Sequence, residues 1–143
     1  KVYPKNTPQV EAAGKAEIDI GLVNHYYLYK FILDAGEGDK FKARNLHLES
    51  GGPGSLVTVS SIGILSTAKN KDNAHQFIDF MISKLVQNYF VNATREYPLI
   101  EDVDIHPLLT PLHEITKANI SLSDLVDIQG SAKLLQEVGA LPK

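Results

Sequence analysis

The sequence predicts an α/β fold, from segments of helical period, most clearly over 71–85, alternating along the chain with β-rich runs at 17–23 and 56–65. Thr7 followed by Pro8 is a helix-start signal, and Val10, Ala13 and Ala16 recur at helical spacing, so a short helix is expected over 8–16. Glu17 to Val23 alternates and then turns apolar, as a half-buried strand does. From Asn24 the period returns to 3.6 through Tyr27, Phe31 and Ile32, with Gly36 as the stop. Asn24 therefore falls at a strand-to-helix junction.

Residues 34–43 read as a charged, exposed loop, and Gly51-Gly52-Pro53-Gly54 is the strongest turn cluster. Leu56 to Val59 and Ile62 to Leu65 suit one long strand bent at Ser60-Ser61. Ala74, Phe77, Ile78, Met81, Ile82 and Leu85 form one apolar stripe, hence the helix over 71–85. Val86, Tyr89 and Phe90 carry a second helical segment, which must end before Tyr97-Pro98 because the residue preceding proline avoids helical backbone. Residues 98–121 are irregular. Ser121 or Ser123 can cap a short turn, and Ser131 precedes a last amphipathic helix through Leu134, Leu135 and Val138, stopped by Gly139.

Composition narrows function before any motif does. With 43% hydrophobic and 22% charged residues, the chain of 143 can bury a core and is neither a disordered tail nor a run of membrane spans. A net charge of −3, with both signs interspersed, lacks the basic footprint that nucleic-acid binding needs, so nucleic acid is not an expected partner. The absence of cysteine removes disulfides, thiolate metal sites and cysteine nucleophiles. Lys1-Val2-Tyr3-Pro4 carries no leader pattern and reads as the middle of a longer sequence.

Chemistry concentrates in Gly21-Leu22-Val23-Asn24-His25-Tyr26-Tyr27-Leu28-Tyr29. Ligands of open α/β sheets bind beyond the carboxyl ends of strands, which is where this segment stands. A phenol titrates near pH ~10, so it ligates only a cation charged enough to displace its proton. Fe3+ is such a cation and prefers anionic oxygen donors, and a helix start beside it suits a completing anion. The residues alone leave a second reading open, in which the tyrosines are core or rim aromatics and His25 is a hydrogen-bonded surface histidine. His47, His75, His106 and His113 have no ligand spacing, and the glycine cluster lacks the lysine and Ser/Thr of a phosphate loop.

The run Glu17-Ile18-Asp19-Ile20-Gly21-Leu22-Val23-Asn24-His25-Tyr26-Tyr27 resembles the segment of periplasmic ferric-iron-binding proteins in which two consecutive tyrosines bind Fe3+. The likeness continues in order through Gly52-Pro53-Gly54-Ser55-Leu56-Val57, Ala74-His75-Gln76-Phe77-Ile78-Asp79-Phe80, Glu96-Tyr97-Pro98-Leu99 and Leu134-Leu135-Gln136-Glu137-Val138-Gly139. It implies a fragment holding most of the C-terminal part of a periplasmic-binding-protein type II-like fold. On this resemblance 1–56 is a C-terminal-lobe segment, 57–107 crosses to the N-terminal lobe, and 108–143 returns. It implies Tyr26 and Tyr27 as Fe3+ ligands, with Asn6 and Asn24 contacting a synergistic anion, phosphate or carbonate.

The same resemblance implies a periplasmic or extracytoplasmic receptor, not an enzyme, that delivers iron to an ABC permease. The remaining ligands would lie upstream of Lys1, so iron binding by this piece is expected to be weak. The missing N-terminal half would be its partner, and self-association in its place is a further expectation. Two other readings have distinct consequences. A receptor for a small organic solute would use the tyrosines for stacking and hydrogen bonds, and an enzyme would need a nucleophile or a carboxylate pair that no spacing here supplies.

Overall fold

The computed structural model describes residues 1–48, 52 and 55–141. It divides into two units, Lys1–Leu56 with Thr116–Lys143, and Val57–Ile115. Most of the Gly51 to Gly54 turn expected from the sequence lies outside the described residues.

The first unit begins with α1, Asn6–Gly14. It starts before the expected Thr7 cap, with Pro8 in the first turn, where its missing N–H costs no helical bond. Beyond Gly14 the chain reverses: Ala16 N–H donates to Ala13 C=O and Glu17 N–H to Ala12 C=O, with Ala16 at φ 59°. That pair of bonds is the Schellman arrangement. The helix expected from Asn24 onward is instead two short coils, a 3-10 turn at His25–Leu28 and a π turn at Lys30–Asp34.

Val10 of α1, Leu28 and Phe41 form the core of this unit, with Val23, Tyr27, Phe31, Ile32 and Ala43 packed around them. Phe31 and Phe41 stack with ring centroids 4.7 Å apart and planes inclined by 8°. Gly14 lies against the Phe41 ring so closely that a Cβ there would overlap it. The C-terminal segment joins this unit through Ser55, whose C=O accepts from Ala118 N–H at 3.2 Å and whose hydroxyl donates to Leu48 C=O at 2.8 Å. A 3-10 turn at Leu122–Leu125 follows, capped by Ser121 and Asp124, and then α4, Ile128–Glu137. Asp127, not the expected Ser131, caps α4, its carboxylate accepting from Gly130 N–H at 2.8 Å. A carboxylate at a helix N-terminus gains from the dipole as well as from the bond.

In the second unit, the stripe over 71–85 is broken into α2, Lys71–Met81, and α3, Lys84–Thr94. Ser83 is extended at φ −67°, ψ 152°, and both its N–H, at 3.0 Å, and its hydroxyl, at 2.6 Å, donate to Phe80 C=O, closing the end of α2. Val86, Val91, Val103, Leu109 and Ile115 are buried here, with Gln87 among them. The expected strands at 17–23 and 56–65 do not form: among the described residues no ladder pairs with either. A strand is defined by its partner, and alternation in sequence specifies a half-buried segment without supplying the partner. No helix among the described residues is long and apolar enough to cross a membrane.

Candidate functional site

The turn that carries the tyrosines is set by burial on one side and hydrogen bonds on the other. Leu28 and Tyr29 are buried, while Tyr26 and Tyr27 are only half-buried and Asn24 is exposed. Tyr27 N–H donates to Asn24 C=O at 3.3 Å, closing the turn. The Tyr26 and Tyr27 rings stand with centroids 4.7 Å apart, tilted by 34°.

Two asparagines reach the phenols. Asn24 Nδ2 donates to the Tyr26 hydroxyl oxygen at 3.1 Å, and Asn6, at the start of α1, hydrogen-bonds the Tyr27 phenol. The hydrogen bond from Asn6, and after it that from Tyr26, holds the Tyr27 phenol below its ordinary titration range; burial opposes them and Lys30 assists. The Lys30 ammonium lies 5.1 Å from the Tyr27 ring centroid, a cation–π distance. Two residues on, burial pushes the Tyr29 phenol up, opposed by a hydrogen bond from Asn45. Environment thus separates neighbouring tyrosines of one turn, since donors stabilise a phenolate and desolvation penalises it.

The structure therefore brings together all four side chains singled out in the sequence: Asn6, Asn24, Tyr26 and Tyr27. His25 stacks edge-on against Tyr26, with centroids 5.5 Å apart. Of the distant histidines, His106 accepts from Leu108 N–H through Nδ1 at 3.2 Å, and His113 lies 3.8 Å from Glu114. Among the described residues no cluster of three or more His, Asp or Glu could hold a metal. Sequence reasoning did not find Gln9, Lys30 or Asn45. Gln9 had a faint signal, three residues after Asn6 and so on the same side of α1; Asn45 had none.

No protein-family model matches the sequence. The major ferric iron-binding protein of Neisseria meningitidis serogroup B is 30% identical over 139 residues, which are 97% of this chain and 42% of that protein. Iron uptake protein A2 of Synechocystis sp. is 31% identical over 140 residues, 94% of this chain and 40% of that protein. The crystal structure of iron-bound HitA from Pseudomonas aeruginosa superposes with a TM-score of 0.85 at 29% identity, covering 97% of this chain and 44% of that one. This chain is accordingly homologous, over nearly its whole length, to ferric iron-binding and iron-uptake proteins, of which it spans about two fifths.

Proposed function

We propose that this chain supplies Tyr26 and Tyr27 as phenolate ligands to Fe3+, with Asn6 and Asn24 holding a synergistic phosphate or carbonate beside them. The observation that carries the reading is the convergence of the four side chains, the two rings at 4.7 Å and each phenol hydrogen-bonded by its own asparagine. Two phenolates offset two of the three charges of the cation, and amide N–H groups suit an anion that offsets the third. On this reading the chain is part of an extracytoplasmic receptor of periplasmic-binding-protein type that performs no chemistry. The receptor closes its lobes around iron and delivers it to an ABC permease. The first unit would belong to the C-terminal lobe and the second to the crossing segment, completed by an N-terminal half that brings further ligands.

The test is colour. The chain titrated with ferric iron in the presence of phosphate is expected to develop a visible tyrosinate-to-iron charge-transfer band. Its affinity should be weak, because a metal site loses affinity when ligands are missing. Tyr26→Phe and Tyr27→Phe should each weaken the band, and the double variant should abolish it. A band that survives the double substitution rejects the ligand assignment. Thermal stabilisation by a small organic solute, with no band in the unmodified chain, would favour the other receptor reading.

A further inference from the structure

The tyrosine turn is gripped from both sides by amide side chains for which the ligand reading has no use. Upstream, Gln9 of α1 engages Leu22 twice: Oε1 accepts from Leu22 N–H at 2.7 Å and Nε2 donates to Leu22 C=O at 3.3 Å. This is the exchange that a neighbouring strand makes with a residue opposite it, supplied here by one side chain. Gly21 leaves the room for it, since a Cβ at that position would lie 3.2 Å from Gln9 Cγ. Downstream, Asn45 Nδ2 donates to His25 C=O at 3.0 Å. The Asn45 side chain also hydrogen-bonds the Tyr29 phenol, and Tyr29 is only 7% exposed.

The turn needs such support. It is four residues long, and the bond that closes it, from Tyr27 N–H to Asn24 C=O, is a long one at 3.3 Å. A metal site tolerates displacements of about 0.5 Å in its ligands, so groups that fix the backbone beneath them set affinity without touching the metal. We propose that Gln9 and Asn45 are positioning residues for the Tyr26–Tyr27 pair, locking the backbone at Leu22 and at His25 so that the two phenols keep a fixed mutual geometry. The functional weight of this inference rests on the phenols being iron ligands; the mechanical part does not. Because Gln9 and Asn6 share α1, the helix that presents Asn6 to Tyr27 also fixes the register of the segment leading to Asn24.

The experiment compares the unmodified chain with Gln9→Ala, Asn45→Ala and the isosteric Asn45→Asp, which loses the donor without leaving a cavity. Gln9→Glu serves as the conservative variant, keeping the acceptor for Leu22 N–H. Amide hydrogen exchange of the iron-free chain is expected to rise on the order of tenfold at residues 25–28 in the first three variants, with Gln9→Glu intermediate and the Val91 amide in α3 unchanged. The charge-transfer band of the iron-loaded chain should shift, and the apparent affinity should fall about tenfold. Exchange at 25–28 that stays at the unmodified rate in every variant, or rises equally at Val91, overturns the proposal. An unmodified chain that shows no band while exchange responds as stated supports the clamp and rejects the iron-ligand reading alone.

Discussion

At the scale of single residues, identical side chains are separated by what surrounds them. Tyr27 and Tyr29 stand two positions apart, yet Tyr27 is bonded by Asn6 and Tyr26 at a half-open position, while Tyr29 is buried against Asn45. The sequence shows three tyrosines at 26, 27 and 29 and no way to rank them, because the ranking depends on Asn6, far upstream of Tyr27, and on Asn45, far downstream of Tyr29. Gln87 is the same lesson in the second unit. It is 4% exposed, its Nε2 donates to Met81 C=O at 2.9 Å and its Oε1 accepts from Leu99 N–H at 2.8 Å, so one amide ties the end of α2 to the loop after α3. Gln87→Met keeps the volume and orphans both backbone groups. The expected cost is about 2 kcal/mol, read as a lower urea midpoint, since an unsatisfied buried polar group forfeits more than the bond itself contributed. An unchanged midpoint would show that water reaches both groups.

At the scale of elements, two helices end in the same motif with different residues in the left-handed position. After α1 it is Ala16 at φ 59°, and after α4 it is Gly139 at φ 74°, where Gly139 N–H donates to Gln136 C=O and Ala140 N–H to Leu135 C=O. A side chain in that region costs roughly 1–2 kcal/mol, partly offset because alanine also restrains the unfolded chain. Ala16→Gly is therefore expected to stabilise by about 0.5 kcal/mol and Gly139→Ala to destabilise by about 1 kcal/mol, measured by denaturant unfolding. The Gly139 stop was legible because glycine announces it. The Ala16 reversal was not, because alanine signals helix and only the backbone bonds to Ala12 and Ala13 reveal the turn. Periodicity gave α1 through Val10 and Ala13, and the stripe of α2, correctly to within a few residues. It missed the break at Ser83, where the N–H and hydroxyl of one residue both bond Phe80 C=O, and it promised strands at 17–23 and 56–65 that require partners absent from the described residues. The resemblance around Tyr26 and Tyr27 pointed to the residues of the candidate site, which remain a proposal, and gave no sign of the side chains that support their turn.

At the scale of the whole molecule, the apolar surface left open within each unit is what calls for an explanation. In the second unit Phe77, Phe80, Leu85 and Tyr89 are each more than half exposed, and in the first Val126, Ile128, Leu134 and Val138 are as open. Such faces on amphipathic helices are suited to docking against another polypeptide. A second copy of the chain can cover the same faces, so self-association is expected at high micromolar concentration. Light scattering should then return a mass above 15.7 kDa that falls toward it on dilution. Phe77→Lys with Phe80→Lys should weaken the association at least tenfold, because each charge must be desolvated where a ring was buried, while leaving the α1 and tyrosine-turn unit unaltered by far-UV circular dichroism. A mass equal to the monomer at every concentration would show that these faces are tolerated in water, and would remove the expectation that the isolated chain pairs with itself.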